Sequence, residues 1–168
     1  RELCGVKAEI KWPNDILLEG RKLVGILTEM SAEFGHINYL VVGIGINVCV
    51  PQSMVPEALR ESAVSIDDVA EKPTDRVALL AKVLDHLETC YETVLKEGFG
   101  PILDEWRRYS VTLGRMVKVI APDTTYTGKA EDIDEEGALL VRRENGHVER
   151  VLAGDVSIRP AQGKGKYQ

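Results

Sequence analysis

An α+β fold is predicted by three features of the 168-residue sequence: strand patterning over residues 1–50, helical patterning over 51–110, and short strands set off by turn residues over 111–160. A domain boundary is expected near residues 110–114. The expected division is 1–112 as one domain, 113–161 as a small second one, and 162–168 as a disordered tail, Gly163-Lys164-Gly165-Lys166 being its core.

In the first segment, Val6 to Trp12 alternates apolar and polar side chains, as a half-buried strand does. Pro13-Asn14-Asp15 is a turn signal. Ile16-Leu17-Leu18 is a short strand, and Glu19-Gly20-Arg21-Lys22 is a hairpin-type connection into a longer strand, Leu23 to Glu33. Gly35 supplies a turn near His36. Ile37 to Val50 forms the next strand, almost continuously apolar from Tyr39 to Ile46. Apolar residues at successive positions imply a central strand covered on both faces.

The middle segment is helical. Pro51 and Pro56 frame a loop or short helix around Glu57 to Ser62. Pro73-Thr74-Asp75 is a helix start, with Thr74 as the expected N-cap. Val77, Leu80, Leu84, Leu87, Tyr91 and Val94 then recur at spacings of three and four, which makes one apolar face for packing on a sheet. Gly98 is placed to end that helix. Pro101 opens a second helix, with Ile102, Leu103 and Trp106 facing inward.

In the last segment, Met116–Ala121, Thr125–Ile133, Ala138–Val141 and His147–Leu152 read as strands. They are separated by Pro122-Asp123, by Glu135-Glu136-Gly137 and by the hairpin dipeptide Asn145-Gly146. Four or five short antiparallel strands in so few residues point to a small barrel.

Composition narrows the function. Hydrophobic residues at 44% and charged residues at 29% describe a globular chain, and no apolar run reaches membrane-spanning length. A net charge of −6 disfavours general nucleic-acid binding, which needs clustered Lys and Arg. Cys4, Cys49 and Cys90 are isolated, as expected of free thiols in a reducing cytoplasmic compartment. His36, His86 and His147 are equally scattered, and no zinc-site spacing occurs.

Three polar interruptions of apolar strands are candidates for chemistry. Lys11-Trp12-Pro13-Asn14-Asp15 sets a strand-end cation beside a carboxylate and an amide. It suits an anionic substrate, with Asp15 placing a metal ion or orienting the lysine; the alternative is an ordinary Lys11–Asp15 ion pair. Gly43-Ile44-Gly45-Ile46-Asn47 leaves strand backbone bare for close approach, or else reflects tight strand packing. It lacks the third glycine and following helix of a dinucleotide fingerprint. Arg21-Lys22-Leu23-Val24-Gly25-Ile26-Leu27 places another glycine within a strand just after two cations, as a ligand surface or a bulge.

In order along the chain, these segments resemble the catalytic domain of the biotin–protein ligases (biotin–[acetyl-CoA-carboxylase] ligases). Lys11 to Glu29 is similar to the central motif of that family, and Gly43 to Val48 to the next one. Asp134 to Val141 and Gly154 to Arg159 resemble its SH3-like C-terminal barrel. The implied fold is part of the catalytic sheet of the biotin–lipoate ligases, class II synthetase-like, with its helices, followed by that barrel.

The resemblance implies a two-step reaction. The biotin carboxylate attacks the α-phosphate of ATP, giving biotinyl-5′-AMP and pyrophosphate. A lysine of biotin carboxyl carrier protein then takes the biotinyl group. Lys11 is implied as the catalytic cation contacting biotin and adenylate. Lys22 is implied on phosphate, and Gly25, Ile26 and Leu27 as the backbone edge that receives the biotin ring. Asn47 is implied in adenylate binding, and Asp15 with Asn47 in placing Mg²⁺. The family's glycine- and arginine-rich adenylate loop lies well before Lys11, and only ten residues precede Lys11 here. The chain lacks Met at position 1 and carries no DNA-binding domain, so a truncated, weakly active or inactive ligase is expected. The rival expectation is a non-catalytic binding module, or one that forms homodimers through the sheet.

Overall fold

The computed structural model describes residues 4–33, 36–121, 124–152 and 155–158. The expected turn at Gly35, the Pro122-Asp123 connection and the 162–168 tail fall outside these residues. The chain separates into two compact units, Arg1–Glu9 with Asn14–Val83, and Ile10–Pro13 with Leu84–Gln168.

The first unit holds strands β2 (Asp15–Leu18), β3 (Arg21–Glu33) and β4 (His36–Ile46), which follow β1 (Ala8–Lys11) side by side in chain order. Glu19 and Gly20 join β2 to β3 with φ of 52° and 77°, the left-handed pair that a tight hairpin turn requires. Antiparallel register then sets Asp15 opposite Gly25 and Gly25 opposite Gly45. Leu18, Leu23, Val24, Val64 and Ile66 form the core of this unit, with Ile16, Ile26 and Ile46 packed against it. Between β4 and the first long helix the chain makes only single 3-10 turns, at Gln52–Met54, Glu57–Leu59 and Ile66–Asp68. Ser65 closes the last of these: its backbone N–H donates to Asp68 Oδ2 at 2.8 Å.

Four expectations are corrected here. β4 ends at Ile46 rather than Val50, and among the described residues it is the edge strand of its sheet, not a central one. Tyr39, Leu40, Val41 and Val42 are each more than half exposed. An apolar run specifies burial, but cannot say whether the covering surface lies within the described residues. The cap of helix α1 (Arg76–Glu97) is Asp75, not Thr74: Asp75 Oδ1 accepts the Val77 and Ala78 N–H groups at 2.9 and 3.1 Å. Thr74 instead donates its own N–H to Asp67 at 2.9 Å. The apolar face of α1 is uncovered as well, with Val77, Leu80, Leu84, Leu87 and Tyr91 all exposed. The partly buried positions of α1 are Ala78, Leu79, Val83, Cys90, Thr93 and Val94, so of the expected face Val94 alone is partly covered. Gly98 ends α1 with φ of 77°, as expected.

The second unit carries α2 (Gly100–Tyr109), β5 (Met116–Ala121), β6 (Thr124–Ile133), β7 (Leu139–Arg142), β8 (Val148–Val151) and β9 (Asp155–Ile158). The strands form one antiparallel sheet in the order β8-β7-β6-β5-β9. Gly137 and Gly146 take φ of 81° and 83° in its tight turns. Val117, Val119, Ala130, Ile133, Leu139, Val141 and Val151 make the core, with Leu103 and Trp106 of α2 against it. Trp12 belongs to this core too. Arg107 fastens α2 to the sheet by donating to Asp132 at 2.7 Å and to the Ile133 carbonyl at 2.9 Å.

Candidate functional site

Cross-strand partners share one face of a sheet, so Asp15, Gly25 and Gly45 form a single row over β2, β3 and β4. The neighbouring positions Ile16, Val24 and Ile46 face the core. The row therefore lies on the opposite face, where two of its three residues bear no side chain. Lys22 extends across this bare backbone. Its Nζ is 2.6 Å from Asp15 Oδ1, and a Cβ at Gly25 would stand 3.2 Å from its Cε. Along this row the Asp15 carboxylate pairs with the Lys22 ammonium.

Gly43 and Gly45 are not demanded by tight strand packing. A Cβ at either would meet backbone oxygen at 3.7 Å, an ordinary contact. What these glycines leave is open floor. Asn47 sits at the end of the same strand. Its backbone N–H donates to Leu23 at 3.0 Å, and its Nδ2 reaches the Lys22 carbonyl at 3.4 Å. Asn47 thus braces the backbone that carries Lys22.

The segment Gly25-Ile26-Leu27 is not a free edge. Asn14 accepts the Ile26 N–H at 2.9 Å and donates its amide to the Ile26 carbonyl at 2.8 Å. Gly25 and Leu27 pair with Gly45 and Gly43 in the ladder. A ligand here meets the face of the strand, where Leu27 is 62% exposed, rather than an open row of donors and acceptors. Asn14 is legible in the sequence only as a turn residue; its two hydrogen bonds with Ile26 have no local signal.

Lys11 closes β1 and is partly buried. The peptide groups on either side of it are fixed. Val111 N–H donates to the Ile10 carbonyl at 2.9 Å, and Trp12 N–H donates to Thr112 Oγ1 at 3.0 Å. The Trp12 indole N–H donates to the Gly137 carbonyl at 3.0 Å.

Among the described residues no group of three or more His, Cys, Asp or Glu side chains is arranged to hold a metal ion. Asp15 and Asn47 supply a carboxylate and an amide, a donor set suited to an ion that keeps water and phosphate ligands rather than to an all-protein cage. No helix among the described residues is long and apolar enough to cross a membrane.

Two family models match the chain: the Biotin/lipoate A/B protein ligase family over residues 1–47, and the Biotin protein ligase C terminal domain over residues 112–159. In both matched segments the chain is similar to the biotin–protein ligases. The Bifunctional ligase/repressor BirA of Bacillus subtilis is 36% identical over 157 residues, covering 94% of this chain and 48% of that protein. The Biotin--[acetyl-CoA-carboxylase] ligase of Mycobacterium tuberculosis is 34% identical, covering 88% of this chain and 52% of that protein. The biotin protein ligase of Aquifex aeolicus in complex with biotin and ATP superposes with a TM-score of 0.76 at 28% identity, over 95% of this chain and 65% of that one. The chain spans about half the length of these curated relatives. Its α+β fold is that of the biotin protein ligases.

Proposed function

We propose that this chain supplies the central sheet of a biotin-adenylating site, together with the C-terminal module, of an ATP-dependent biotin–protein ligase. The observation that carries this reading is the Asp15–Gly25–Gly45 row with Lys22 laid across it. A biotin carboxylate and the α-phosphate of ATP are both anionic, and their reaction needs fixed cations where they approach. Lys11 is the catalytic cation, held at its peptide groups. Lys22 is the phosphate cation, poised by Asp15 and Asn47. The bare face at Gly25 and Gly45, beside Leu27, takes the flat biotin ring system, with Ile26 contributing only its backbone to the strand beneath. Asp15 and Asn47 would hold a Mg²⁺ ion bound with ATP, which would offset the charge of the phosphates.

Biotinyl-5′-AMP and pyrophosphate are the first products. The acceptor is a lysine of biotin carboxyl carrier protein of acetyl-CoA carboxylase, in the cytoplasm. The proposed division is 1–112 for the catalytic part and 113–161 for an SH3-like module. No DNA-binding role is proposed for this chain.

The test is calorimetric titration with biotin and ATP, followed by a pyrophosphate-release assay, on the complete gene product. Lys11→Ala is expected to cut biotinyl-AMP formation by about a hundredfold or more while folding is kept. Near-normal adenylation in that variant removes Lys11 from the site.

A second role is favoured by β4. Between His36 and Ile46 it contains no Lys, Arg or Pro, and among the described residues it is the sheet's edge strand. Such an edge pairs readily with a copy of itself, so homodimerisation through β4 is part of the proposal.

A further inference from the structure

The peptide groups flanking Lys11 are both bonded to one short segment, residues 110–112, which leads from α2 into β5. Ile10 and Ser110 form a parallel bridge, and Val111 N–H donates to the Ile10 carbonyl. One residue beyond Lys11, Trp12 N–H donates to the Thr112 hydroxyl at 3.0 Å. Thr112 is fully buried and Trp12 is 4% exposed, so neither bond exchanges freely with water. Thr112 is itself held, its N–H donating to Ser110 Oγ at 3.2 Å. The Trp12 indole fixes the next point by donating to the Gly137 carbonyl in the turn before β7, and its ring lies in the core with Val117, Val119 and Leu139.

These contacts do not touch the Lys11 ammonium. They determine where its stem begins and in which direction it leaves the backbone. The geometry points to Thr112 as a positioning residue for Lys11, acting through the Trp12 N–H. The segment between α2 and β5 thereby sets the aim of the side chain that ends β1. This inference rests on the proposed role of Lys11 in adenylation.

The physical consequence concerns the transition state. A cation fixed before reaction stabilises developing phosphate charge without reorganising, whereas a wandering one does so poorly while ground-state binding is carried by other contacts. Losing the Thr112 hydroxyl should therefore lower kcat for adenylation and leave KM nearly unchanged.

The test uses Thr112→Val, which keeps the shape and removes the acceptor, and Thr112→Ser, which restores a hydroxyl, in the complete gene product. Thr112→Val is expected to lower kcat for biotinyl-AMP formation by about tenfold with KM values for biotin and ATP within about twofold. Thr112→Ser should recover activity to within about threefold of the parent. Amide exchange in this chain should show faster exchange at the Trp12 N–H in Thr112→Val, with protection in β5, β6 and β7 retained. Unchanged kcat in Thr112→Val overturns the proposal, and so does loss of protection throughout the module, which marks a merely structural residue. Lys11→Ala separates the two levels: normal adenylation there overturns the role of Lys11 itself, whereas an inactive Lys11→Ala beside a fully active Thr112→Val overturns only the positioning role.

Discussion

The Lys22 ammonium is bound to the Asp15 carboxylate at 2.6 Å, and its stem crosses the space that a side chain at position 25 would fill. The pair is a weak source of stability, because Lys22 is half exposed and such pairs contribute about 0–1 kcal/mol. Its importance is placement. Gly25 lets an extended lysine lie flat on the sheet, and Asp15 holds its end.

Gly25→Ala tests that placement. The new methyl would stand 3.2 Å from Lys22 Cε and 3.3 Å from Nζ, so the flexible lysine must swing aside. The fold should survive, with stability changed by about 1 kcal/mol or less. Calorimetric titration should find binding of biotin and ATP to the complete gene product weakened by about tenfold, or about 1.4 kcal/mol. Unchanged affinity would sink the idea that the Gly25 floor receives ligand.

Gly128 makes the opposite kind of demand. A Cβ there would lie 2.6 Å from Val141 Cγ1 and 2.7 Å from the Arg142 carbonyl, so backbone must move. Overpacking of this type costs about 1–3 kcal/mol. Gly128→Ala is expected to lower Tm by several degrees, about 2–4 °C per kcal/mol. A thermal melt that coincides with the parent's would contradict the close β6–β7 approach.

Acid should loosen the second unit. Burial raises the Asp132 carboxyl, but hydrogen bonds from Arg107 and from the Ile133 amide, with the Arg107 charge, outweigh it and leave the pKa below its ordinary value. Hydrogen bonding from Arg142 holds Glu131 low, and from Arg150 holds Asp134 low. A carboxyl with a depressed folded pKa adds stability above its unfolded pKa, about 3.9 for Asp and 4.3 for Glu, and loses it as pH falls through the folded value. Denaturant melts should therefore show a stability plateau above about pH 5 and a decline below about pH 4. In Asp132→Asn that decline should be shallower. An identical pH slope in the variant would show that Arg107–Asp132 takes no part.

What the sequence made legible was local. Glu19-Gly20, Gly98, Gly137 and Asn145-Gly146 mark turns and ends because each needs a backbone conformation that few residues accept, and all four fall where expected. The Asp15, Gly25 and Gly45 row was present in the string, but only register reveals that the three are neighbours. Trp12 read as one more apolar position of a strand. Its partners Thr112 and Gly137 lie 100 and 125 residues away, and no short-range pattern encodes that. The same limit explains β4: alternation and apolar content report a preference for burial, while edge or centre is decided by which strands pair with it.

That edge yields the last prediction. Asn47 N–H donates inward to Leu23, so in an antiparallel ladder the odd-numbered residues from Tyr39 to Gly45 bond to β3 and the even-numbered ones between them point their N–H groups outward. Val42, opposite Thr28, is therefore a position where proline removes an outward donor without breaking a β3–β4 bond. If β4 joins a second copy, Val42→Pro should weaken self-association by about tenfold or more, read by sedimentation equilibrium as a shift from dimer to monomer. Val41→Pro, by contrast, strikes the inward ladder at Glu29 and should destabilise the sheet itself. A Val42→Pro protein that folds and dimerises like its parent would mean that β4 is not the joining edge.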